Sequence, residues 1–439
     1  MAKKASVMEI YKYLPAKDCG SCGSKSCMDF AVSLVKREKS LDACMNMDPQ
    51  NKEILVDLLL TPVREVTFGL GKYMRKFGGE SVMYRHELKF FNPTILALEV
   101  SDSMPDEEIT ERAKTVNERQ TERVNVMLSL DAVAIKLSDK LKAEKVAKLV
   151  NDNCSKPLIL ISSDIEILRK ALAIVGKRRP LLYGADERNI TEMIRLAKEN
   201  NCPLVIRSGD LQKLGDLANK ARKEGLEDLV LDPATAISGR AFKEFVDRCV
   251  QIRRAAVEKD VKPLGFPIIS TPSLAYSMDA DEFNKKYYEA FLASVFMLRY
   301  SSIVVVKTGD VWANLPLMTL RENLFADPKE ESRVDAGLYE IGKPDETSPV
   351  LMTVNYALTF HIIKGDLERA KLNCYLLVLD TKGFAVDTAV AVGSLNSGVV
   401  KESIEKFKLP ERVRHKKIII PELATRLSGA INEETGWEV

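Results

Sequence analysis

The repeating pattern of the chain is clearest in residues 157–183, which read PLILISSDIEILRKALAIVGKRRPLLY. A short apolar run, Pro157–Ile161, precedes a stretch of helical period, Glu166–Val175, and a second apolar run follows at Pro180–Tyr183. Nearly continuous apolar strands that alternate with helices are typical of a parallel sheet covered on both faces. This unit therefore predicts an α/β fold.

The same alternation extends from Asn92 to about Lys307. Eight apolar runs are predicted strands: Ile95–Val100, Ala132–Leu137, Pro157–Ile161, Pro180–Tyr183, Pro203–Ile206, Asp228–Leu231, Phe266–Ser270 and Ser302–Val306. Helical patterns lie between most of them. Eight strand–helix units favour a (β/α)8 TIM barrel, and an open doubly wound sheet is the alternative.

Polar residues directly follow several of these strands, which is where barrel enzymes place functional groups. They are Ser162, Asp164, Arg207, Asp232, Thr271, Lys307 and Asp310. Among them we find no paired-carboxylate, metal-ligand or nucleophile signature. We expect these side chains to cap helices and line the rim of the barrel.

Composition excludes several classes of protein. The 439 residues are 46% hydrophobic and 29% charged, with a net charge of +2. That balance is typical of a globular protein and lacks the basic excess of a nucleic-acid binder. No apolar run is long enough to cross a bilayer, and the start of the chain lacks a secretory apolar region. We expect a cytoplasmic protein that binds neither nucleic acid nor membrane.

Four of the eight cysteines crowd together near the start of the chain, at Cys19, Cys22, Cys27 and Cys44. Three closely spaced thiolates and a distant fourth can ligate an iron–sulfur cluster, most readily [4Fe–4S]. Gly20 and Gly23 permit the backbone to turn there, and the apolar residues after Cys27 have helical spacing. A four-cysteine zinc site is the alternative, although zinc ribbons usually show two C-x2-C pairs. The other cysteines are predicted to be small buried apolar residues: Cys154, Cys202, Cys249 and Cys374.

The last part of the chain forms a further α/β region. A stretch rich in proline and charge, from Asp327 to Glu346, separates it from the barrel. Strands are predicted at Pro349–Val354, Cys374–Leu379 and Lys417–Ile420, and helices at Gly398–Phe407 and Glu422–Leu427. We predict three domains: 1–60 for the cluster, 61–325 for the barrel, and 326–439 for a domain whose sheet edge suits a large cofactor.

Three segments together resemble one family, the large subunit of the corrinoid iron–sulfur protein, known in archaea as the gamma subunit of the acetyl-CoA decarbonylase/synthase complex. The first is Ile10–Pro15, which leads into the cysteines, and the second is Gly78–Glu87 with Phe90–Thr94. The third comprises Asn355–Thr359, Gly383–Ala389, His415–Pro421 and Gly436–Val439. The resemblance spans essentially the whole chain in the same order.

The resemblance implies an activity, two cofactors and several partners. The family's fold is a small [4Fe–4S] domain, a TIM barrel and a C-terminal Rossmann-like domain that binds a corrinoid (cobamide) in its base-off form. In that family Co(I) accepts a methyl group from a methyl-tetrahydropterin or methyl-tetrahydrofolate, and the group passes to the nickel of acetyl-CoA synthase, or travels in reverse. The chain would thus be the methyltransferase component that pairs with a small corrinoid iron–sulfur subunit and with acetyl-CoA synthase/CO dehydrogenase, and its cluster would reductively reactivate cobalt.

The resemblance also implies which residues contact the corrin. The turn Gly383–Thr388 would pass beneath the ring, with Thr388 nearest the lower face, and Phe360 would lie against the ring. The contacting residues are then Phe360, Gly383, Phe384, Ala385, Val386, Asp387 and Thr388. The Asp-x-His-x-x-Gly motif that supplies a cobalt-ligating histidine in many corrinoid proteins does not occur in the sequence, which fits a family that keeps the corrinoid base-off with no protein ligand. In the alternative interpretation Phe384 and Val386 are ordinary strand residues and Thr388 is a cap.

Two other functions compete with the methyl carrier. One is an iron–sulfur electron-transfer or scaffold subunit without bound corrinoid, because relatives usually continue past the position of Val439 with a stretch that helps enclose the corrin. The other is an independent barrel enzyme with a regulatory cluster, for which the sequence shows no catalytic constellation.

Overall fold

The computed structural model describes residues 6–123, 126–329 and 332–439. They form two compact units: the second comprises Asp327–Val439 and the short segment Glu122–Met127, and the first comprises the rest. No helix in these described ranges combines the length and the apolar character needed to cross a membrane. The three predicted domain boundaries stay predictions.

The first unit begins with a small helical segment, residues 6–60, here called the cluster segment. Its helices are α1 (Val7–Tyr11), α2 (Cys27–Val35) and α3 (Pro49–Leu59). Helix α2 begins because the Ser26 hydroxyl accepts a hydrogen bond from Asp29 N at 3.1 Å. Phe30 and Leu34 of α2 are buried against Ile10 and Leu55, so this segment has a core of its own. The helix predicted after Cys27 is confirmed.

A hairpin follows and closes the amino-terminal end of the barrel. It consists of β1 (Glu65–Phe68) and β2 (Arg75–Gly78), which pair antiparallel. The rings of Phe68 and Phe77 meet edge to face, with centroids 5.7 Å apart, and pack with the side chains that fill the barrel. Gly69 N donates to the carbonyl of Arg179, which precedes a barrel strand, so the hairpin lies where the strands begin. The sequence analysis did not find this hairpin.

The predicted TIM barrel is confirmed, and the open sheet is wrong. Its parallel strands close on themselves in the order β3-β6-β7-β8-β9-β10-β11-β12. They are β3 (Ile95–Ser101), β6 (Ala132–Lys136), β7 (Leu158–Ile161), β8 (Leu181–Ala185), β9 (Leu204–Arg207), β10 (Leu229–Asp232), β11 (Ile268–Ser270) and β12 (Ser301–Val306), with the short strands β4 (Thr121–Arg123) and β5 (Val126–Leu128) between the first two. All eight predicted runs correspond to barrel strands.

A helix follows each barrel strand. These helices are α4 (Asp106–Glu118), α5 (Ala143–Asn153), α6 (Ile165–Val175), α7 (Ile190–Glu199), α8 (Leu211–Lys223), α9 (Gly239–Lys259), α10 (Glu282–Leu298) and α11 (Val311–Phe325). Several begin at an aspartate, as predicted for Asp164, whose carboxylate accepts hydrogen bonds from Glu166 N at 2.8 Å and Ile167 N at 3.3 Å. Alternate strand residues point outward to the helices, as Leu96 does, or inward to fill the barrel, as Ala97 does.

The second unit is a sheet with helices on both faces, as expected of a Rossmann-like domain. Its elements are β13 (Gly337–Ile341), β14 (Val350–Val354), α12 (Ala357–Arg369), β15 (Cys374–Leu379), α13 (Val386–Ala391), α14 (Ser397–Lys406) and α15 (Ser428–Thr435). The strand order is β13-β15-β14, with β14 and β15 parallel and β13 antiparallel to β15. Helix α12 covers one face through Phe360, and the other three helices cover the opposite face.

Two details of this unit correct the sequence analysis. The stretch that was predicted only to separate the domains contains β13, a half-buried edge strand. Its alternating pattern is short and lies between charged and proline-rich residues, which obscured it. Val386 begins helix α13, so the interpretation of Phe384 and Val386 as ordinary strand residues is wrong. Val386, Ala389 and Val390 are buried at helical spacing.

Candidate cofactor sites

All four clustered cysteines line one pocket in the cluster segment, together with Asp18 and Asn46 among other residues. Cys19 and Cys22 lie on the loop between α1 and α2, Cys27 is the first residue of α2, and Cys44 follows a short 3-10 helix. Cys27 is buried, Cys19 is exposed, and none of the four is in a disulfide. The structure therefore brings together residues that are up to 25 positions apart in the chain.

The loop that presents these cysteines depends on backbone conformations with positive φ. Gly20 and Gly23 have φ values of 71° and 72°, which glycine adopts without the steric cost that a side chain brings. Asp18 accepts a hydrogen bond from Cys27 N at 2.6 Å, which ties the loop to the start of α2. Lys39 donates to the carbonyl of Cys22 at 3.0 Å. The pocket wall is thus held by contacts that do not involve the thiols.

One thiol of the pocket has an environment that favours its ionised form. The pKa of Cys19 is lowered by hydrogen bonds from Ser21 and, to a smaller extent, from the Asn46 amide, whose nitrogen lies 3.3 Å from the sulfur. The thiolate is the form of cysteine that ligates metals. Contacts from neutral donors thus prepare this exposed position for ligation.

Zinc and an iron–sulfur cluster place different demands on four thiolates. Four thiolates around one zinc ion would lie about 3.8 Å from one another, given Zn–S bonds of about 2.3 Å. In the part of the chain that the structure describes, no three His, Cys, Asp or Glu side chains are close enough to hold a single metal ion. The four thiols share one pocket, which is the arrangement that a four-thiolate iron–sulfur cluster requires.

The remaining cysteines are core residues, as predicted. Cys154, Cys202, Cys249 and Cys374 are all buried and far apart in the chain. Burial raises the pKa of Cys202 to about 12. Such thiols stay protonated and unreactive at neutral pH.

The cluster segment is attached to the residues that precede the first barrel strand. The guanidinium of Arg37 donates to the carbonyl of Gly79 and, at 2.9 Å, to the Ser81 hydroxyl. It also lies over the ring of Phe91, with 4.8 Å between the guanidinium carbon and the ring centroid. This one side chain connects the segment that holds the cysteine pocket to the amino-terminal end of the barrel.

The second candidate site lies at one edge of the sheet in the second unit. Strands β14 and β15 are parallel, and Ile419 pairs in parallel with Leu351 of β14. Because parallel chains end at the same edge, the residues after Val354, Leu379 and Ile420 all leave the sheet there. We call this the carboxyl edge. It presents the starts of α12 and α13.

A buried asparagine organises the carboxyl edge. Asn355 directly follows β14, and its side-chain oxygen accepts hydrogen bonds of 3.0 Å from Thr381 N, Thr381 Oγ1 and Gly383 N. Its amide nitrogen donates to Asp380 at 3.0 Å. Lys382 and Gly383 both have positive φ, 62° and 82°, so the turn is tight. The role of Asn355 was not predicted from the sequence, although an asparagine immediately after a strand is typical of this kind of turn.

Six of the predicted corrin contacts lie together on this turn and the first turn of α13. Gly383 and Val386 are buried, whereas Phe384 and Ala385 are half-buried. Asp387 and Thr388 are exposed, and Thr388 N donates to the Asp387 carboxylate at 2.7 Å. The outer surface of the turn therefore combines apolar groups with backbone and hydroxyl polarity.

The structure does not bring Phe360 to that surface. Its ring is 1% exposed and packs on Tyr339, with centroids 4.8 Å apart, in the core beneath α12. Two apolar side chains that the sequence analysis missed are exposed on segments that leave the carboxyl edge: Leu358 in the first turn of α12 and Leu423 after the chain leaves the sheet. A leucine soon after a predicted strand, where a polar residue is more usual, would have been the sequence signal for an apolar ligand surface.

Both histidines of the second unit lie off the turn. His415 Nε2 is 3.0 Å from the carbonyl of Ser348, which precedes β14 and so lies at the opposite edge of the sheet. His361 is on α12, where its ring meets the buried Phe360 ring edge to face. Neither belongs to residues 383–388. The turn itself therefore offers no histidine as a metal ligand.

Relatives of known identity match the chain from end to end. The acetyl-CoA decarbonylase/synthase complex subunit gamma of Methanothermobacter thermautotrophicus is 38% identical over 439 residues, which cover 99% of this chain and 95% of the relative. The subunit gamma of Archaeoglobus fulgidus is also 38% identical, over 100% of this chain and 95% of the relative. The chain belongs to this gamma-subunit family.

Two family models divide the gamma-subunit chain between them. Residues 65–439 match the CO dehydrogenase/acetyl-CoA synthase delta subunit model. Residues 14–45 match a model described as a putative Fe–S cluster, and they include all four pocket cysteines. An iron–sulfur cluster rather than zinc is therefore the supported occupant of this region.

Solved structures resemble this gamma-subunit chain less closely. The dihydropteroate synthase of Thermus thermophilus is 14% identical with a TM-score of 0.38, covering 59% of this chain and 100% of that one. The enzyme from Xanthomonas albilineans is 13% identical with a TM-score of 0.40, covering 54% and 94% respectively. Likeness at this level says nothing about ligands.

Proposed function

We propose that this chain is a corrinoid/iron–sulfur methyl carrier. It would move a methyl group between a methyl-tetrahydropterin, or methyl-tetrahydrofolate, and the nickel site of acetyl-CoA synthase. The observation that carries the proposal is the end-to-end match to gamma subunits, because it includes both candidate cofactor sites. In enzymatic terms the chain is the methyltransferase component, a methyl-tetrahydropterin:corrinoid/iron–sulfur protein Co-methyltransferase. Its partners would be a small corrinoid iron–sulfur subunit and acetyl-CoA synthase/CO dehydrogenase.

The cysteine pocket would hold a [4Fe–4S] cluster through Cys19, Cys22, Cys27 and Cys44. The common pocket and the free thiols support this ligand set. The glycine turns leave room for close backbone approach, and Asn46 hydrogen bonds to the exposed sulfur of Cys19. Hydrogen bonds to cluster sulfurs are one of the means by which a protein sets a reduction potential.

The carboxyl edge would hold a corrinoid. Gly383, Phe384, Ala385, Val386, Asp387 and Thr388 form the contacting turn, with Phe384 as its main apolar contact. Asn355 positions that turn from beneath. The exposed Thr388 hydroxyl is a weak donor at most, and both histidines of the unit lie elsewhere, which supports a cobalt without a protein ligand. Phe360 would support the turn indirectly, by holding α12 on the sheet.

When bound, a corrinoid supplies the methyl-accepting chemistry and a low-potential cluster supplies electrons for its reactivation. The chain's own residues would bind, orient and shield the corrinoid. Leu358, Leu423 and Phe384 would exclude water from one side of the macrocycle. The buried Asn355 network keeps the turn in one conformation, so little ordering is needed on binding.

Anaerobic absorbance and EPR spectra of the full chain, alone and with its small subunit, test the proposal. We expect a base-off Co(II) signal that disappears on reduction at low potential, together with a reduced-cluster signal. Thr388→Ala should retain the cluster and shift the Co(II)/Co(I) midpoint, whereas Ser397→Ala, at the start of α14 in the same unit, should not. A cluster signal without cobalt, even with the partner present, would refute the methyl carrier and favour an electron-transfer or scaffold subunit.

A further inference from the structure

The carboxyl-terminal mouth of the barrel contains a layer of charged side chains that the proposed function does not use. Inward-facing residues of the strands fill the barrel, among them Ala97, Ala134, Val205, Val230 and Val305. Because side chains alternate along a strand, the residue two positions further on also faces inward, one layer nearer the mouth. These residues are Glu99, Lys136, Arg207, Asp232 and Lys307. We call them the mouth layer.

The two carboxylates of the mouth layer are already satisfied by neutral donors. Asp232 is fully buried and accepts hydrogen bonds from Tyr183 Oη at 2.5 Å and from Thr235 N at 2.9 Å. Glu99 is 6% exposed and accepts a hydrogen bond of 2.7 Å from the Ser273 hydroxyl, which reaches it across the mouth. Buried charges of this kind serve to fix neighbouring groups.

Asp232 fixes the orientation of Arg207. Arg207 Nε lies 3.2 Å from the carboxylate, while the arginine side chain remains 52% exposed. Its two terminal nitrogens have no acceptor among the described residues. One edge of the guanidinium is therefore anchored, and the other points to solvent. An arginine held in this way can bind an oxyanion through two parallel hydrogen bonds.

Both lysines of the layer lack an acidic partner within the described ranges. Lys307 Nζ lies over the Tyr276 ring, 4.8 Å from its centroid, and Lys136 is exposed. The Glu289 carboxylate accepts hydrogen bonds from the backbone nitrogens of Lys307 and Thr308 and forms no ion pair with the Lys307 ammonium. Lys136 and Arg207 stand on the second and fifth strands of the ring, counted from β3, and Lys307 directly follows the eighth, so the three cations are distributed around the barrel axis.

We infer that the mouth layer binds the phosphate group of a small molecule. Arg207, Lys307 and Lys136 supply the charge and the hydrogen-bond donors, and Asp232 acts as a positioning residue for Arg207. The loops after the seventh and eighth strands of TIM barrels frequently bind phosphate, and Lys307 directly follows the eighth. This site belongs to the first unit and does not depend on either cofactor assignment.

Isothermal titration of the full chain with inorganic phosphate, in a chloride buffer of low ionic strength, tests the inference. We expect one saturable site per chain. Arg207→Gln and Lys307→Gln should each weaken binding roughly tenfold or more, the effect of losing a charged hydrogen-bond donor. Arg188→Gln is the matched control, because Arg188 is 84% exposed, follows a neighbouring strand and already pairs with Asp186.

Because Lys136 is exposed, Lys136→Gln does not disturb the core. Phosphate binding is measured for this variant too, and melting curves are recorded for all variants. Weaker phosphate binding with unchanged melting in Lys136→Gln would support the site. Asp232→Asn should weaken phosphate binding less than Arg207→Gln, because it loosens the guanidinium without removing it. Absence of saturable binding to the unmodified chain, or equal weakening in Arg188→Gln, would overturn the inference.

Discussion

Replacing Asn355 with alanine should loosen the turn at the carboxyl edge without affecting the barrel. The Asn355 side-chain oxygen is the acceptor for two buried backbone donors, Thr381 N and Gly383 N. The Thr381 hydroxyl is less affected, since it also lies 3.0 Å from the carbonyl of Phe384. Each buried donor left without a partner costs about 1–3 kcal/mol, so two should cost on the order of 2–6 kcal/mol. That raises the opening constant of the turn at least about 30-fold, and up to roughly 20,000-fold.

Hydrogen–deuterium exchange with mass spectrometry measures this opening directly. Peptides that contain residues 380–388 should exchange faster in Asn355→Ala, whereas barrel peptides should keep their rates. Asn396→Ala is the matched control: Asn396 caps α14 by accepting from Val399 N at 3.0 Å, and losing that cap costs about 1 kcal/mol at a different place in the same unit. Equal rates for residues 380–388 in the two variants would refute the role given to Asn355.

Three further predictions concern the first unit. Cys44→Ser should lower the iron and sulfide content of anaerobically purified protein, whereas Cys154→Ser should not, and equal iron in both would contradict the ligand set. Arg37→Ala should free the cluster segment, because it removes two hydrogen bonds at a cost of about 1–3 kcal/mol. Limited proteolysis should then cut residues 45–62 faster while the melting of the barrel is unchanged. An unaltered cleavage rate would argue against attachment of the segment by Arg37. Burial raises the pKa of Glu289 from its ordinary 4.5 to about 7, so the folded barrel binds this proton more tightly than the unfolded chain. Stability from this group is therefore present below pH 4.5 and lost as pH rises to about 7, and the loss is on the order of 3 kcal/mol. The melting temperature of Glu289→Gln should therefore fall less between pH 5 and 8 than that of the unmodified chain.

The barrel was the part of the fold most accessible to sequence reasoning. Its strands are buried on both faces, so each forms a continuous apolar run, and Asp164 marks the start of a helix. The hairpin formed by β1 and β2 gave no comparable signal, because its strands have only four residues each and pack through Val66, Phe68 and Phe77 alone. Strand β13 was missed for a similar reason: it is an edge strand with only one fully buried residue, Ile341.

The candidate sites, like the fold, were predicted only in part from the sequence. The spacing of Cys19, Cys22, Cys27 and Cys44 along the chain is enough to indicate metal ligation, because thiolates so close in sequence have little other reason to cluster. The resemblance pointed to residues 383–388, and the structure places them on one turn. The structure places Phe360 in the core. The sequence could not show this, because burial of an aromatic ring on a helix depends on which face of the helix meets the sheet.

By itself the sequence determined what local chemistry and periodicity can specify: the (β/α) alternation, the helix caps and the clustered cysteines. Only the tertiary structure decided which polar groups meet across long distances in the chain. Asn355 reaches Gly383 because two parallel strands end side by side, and Ser273 reaches Glu99 because the sheet closes into a barrel. Such contacts depend on strand order and register, and no pattern of neighbouring residues records them.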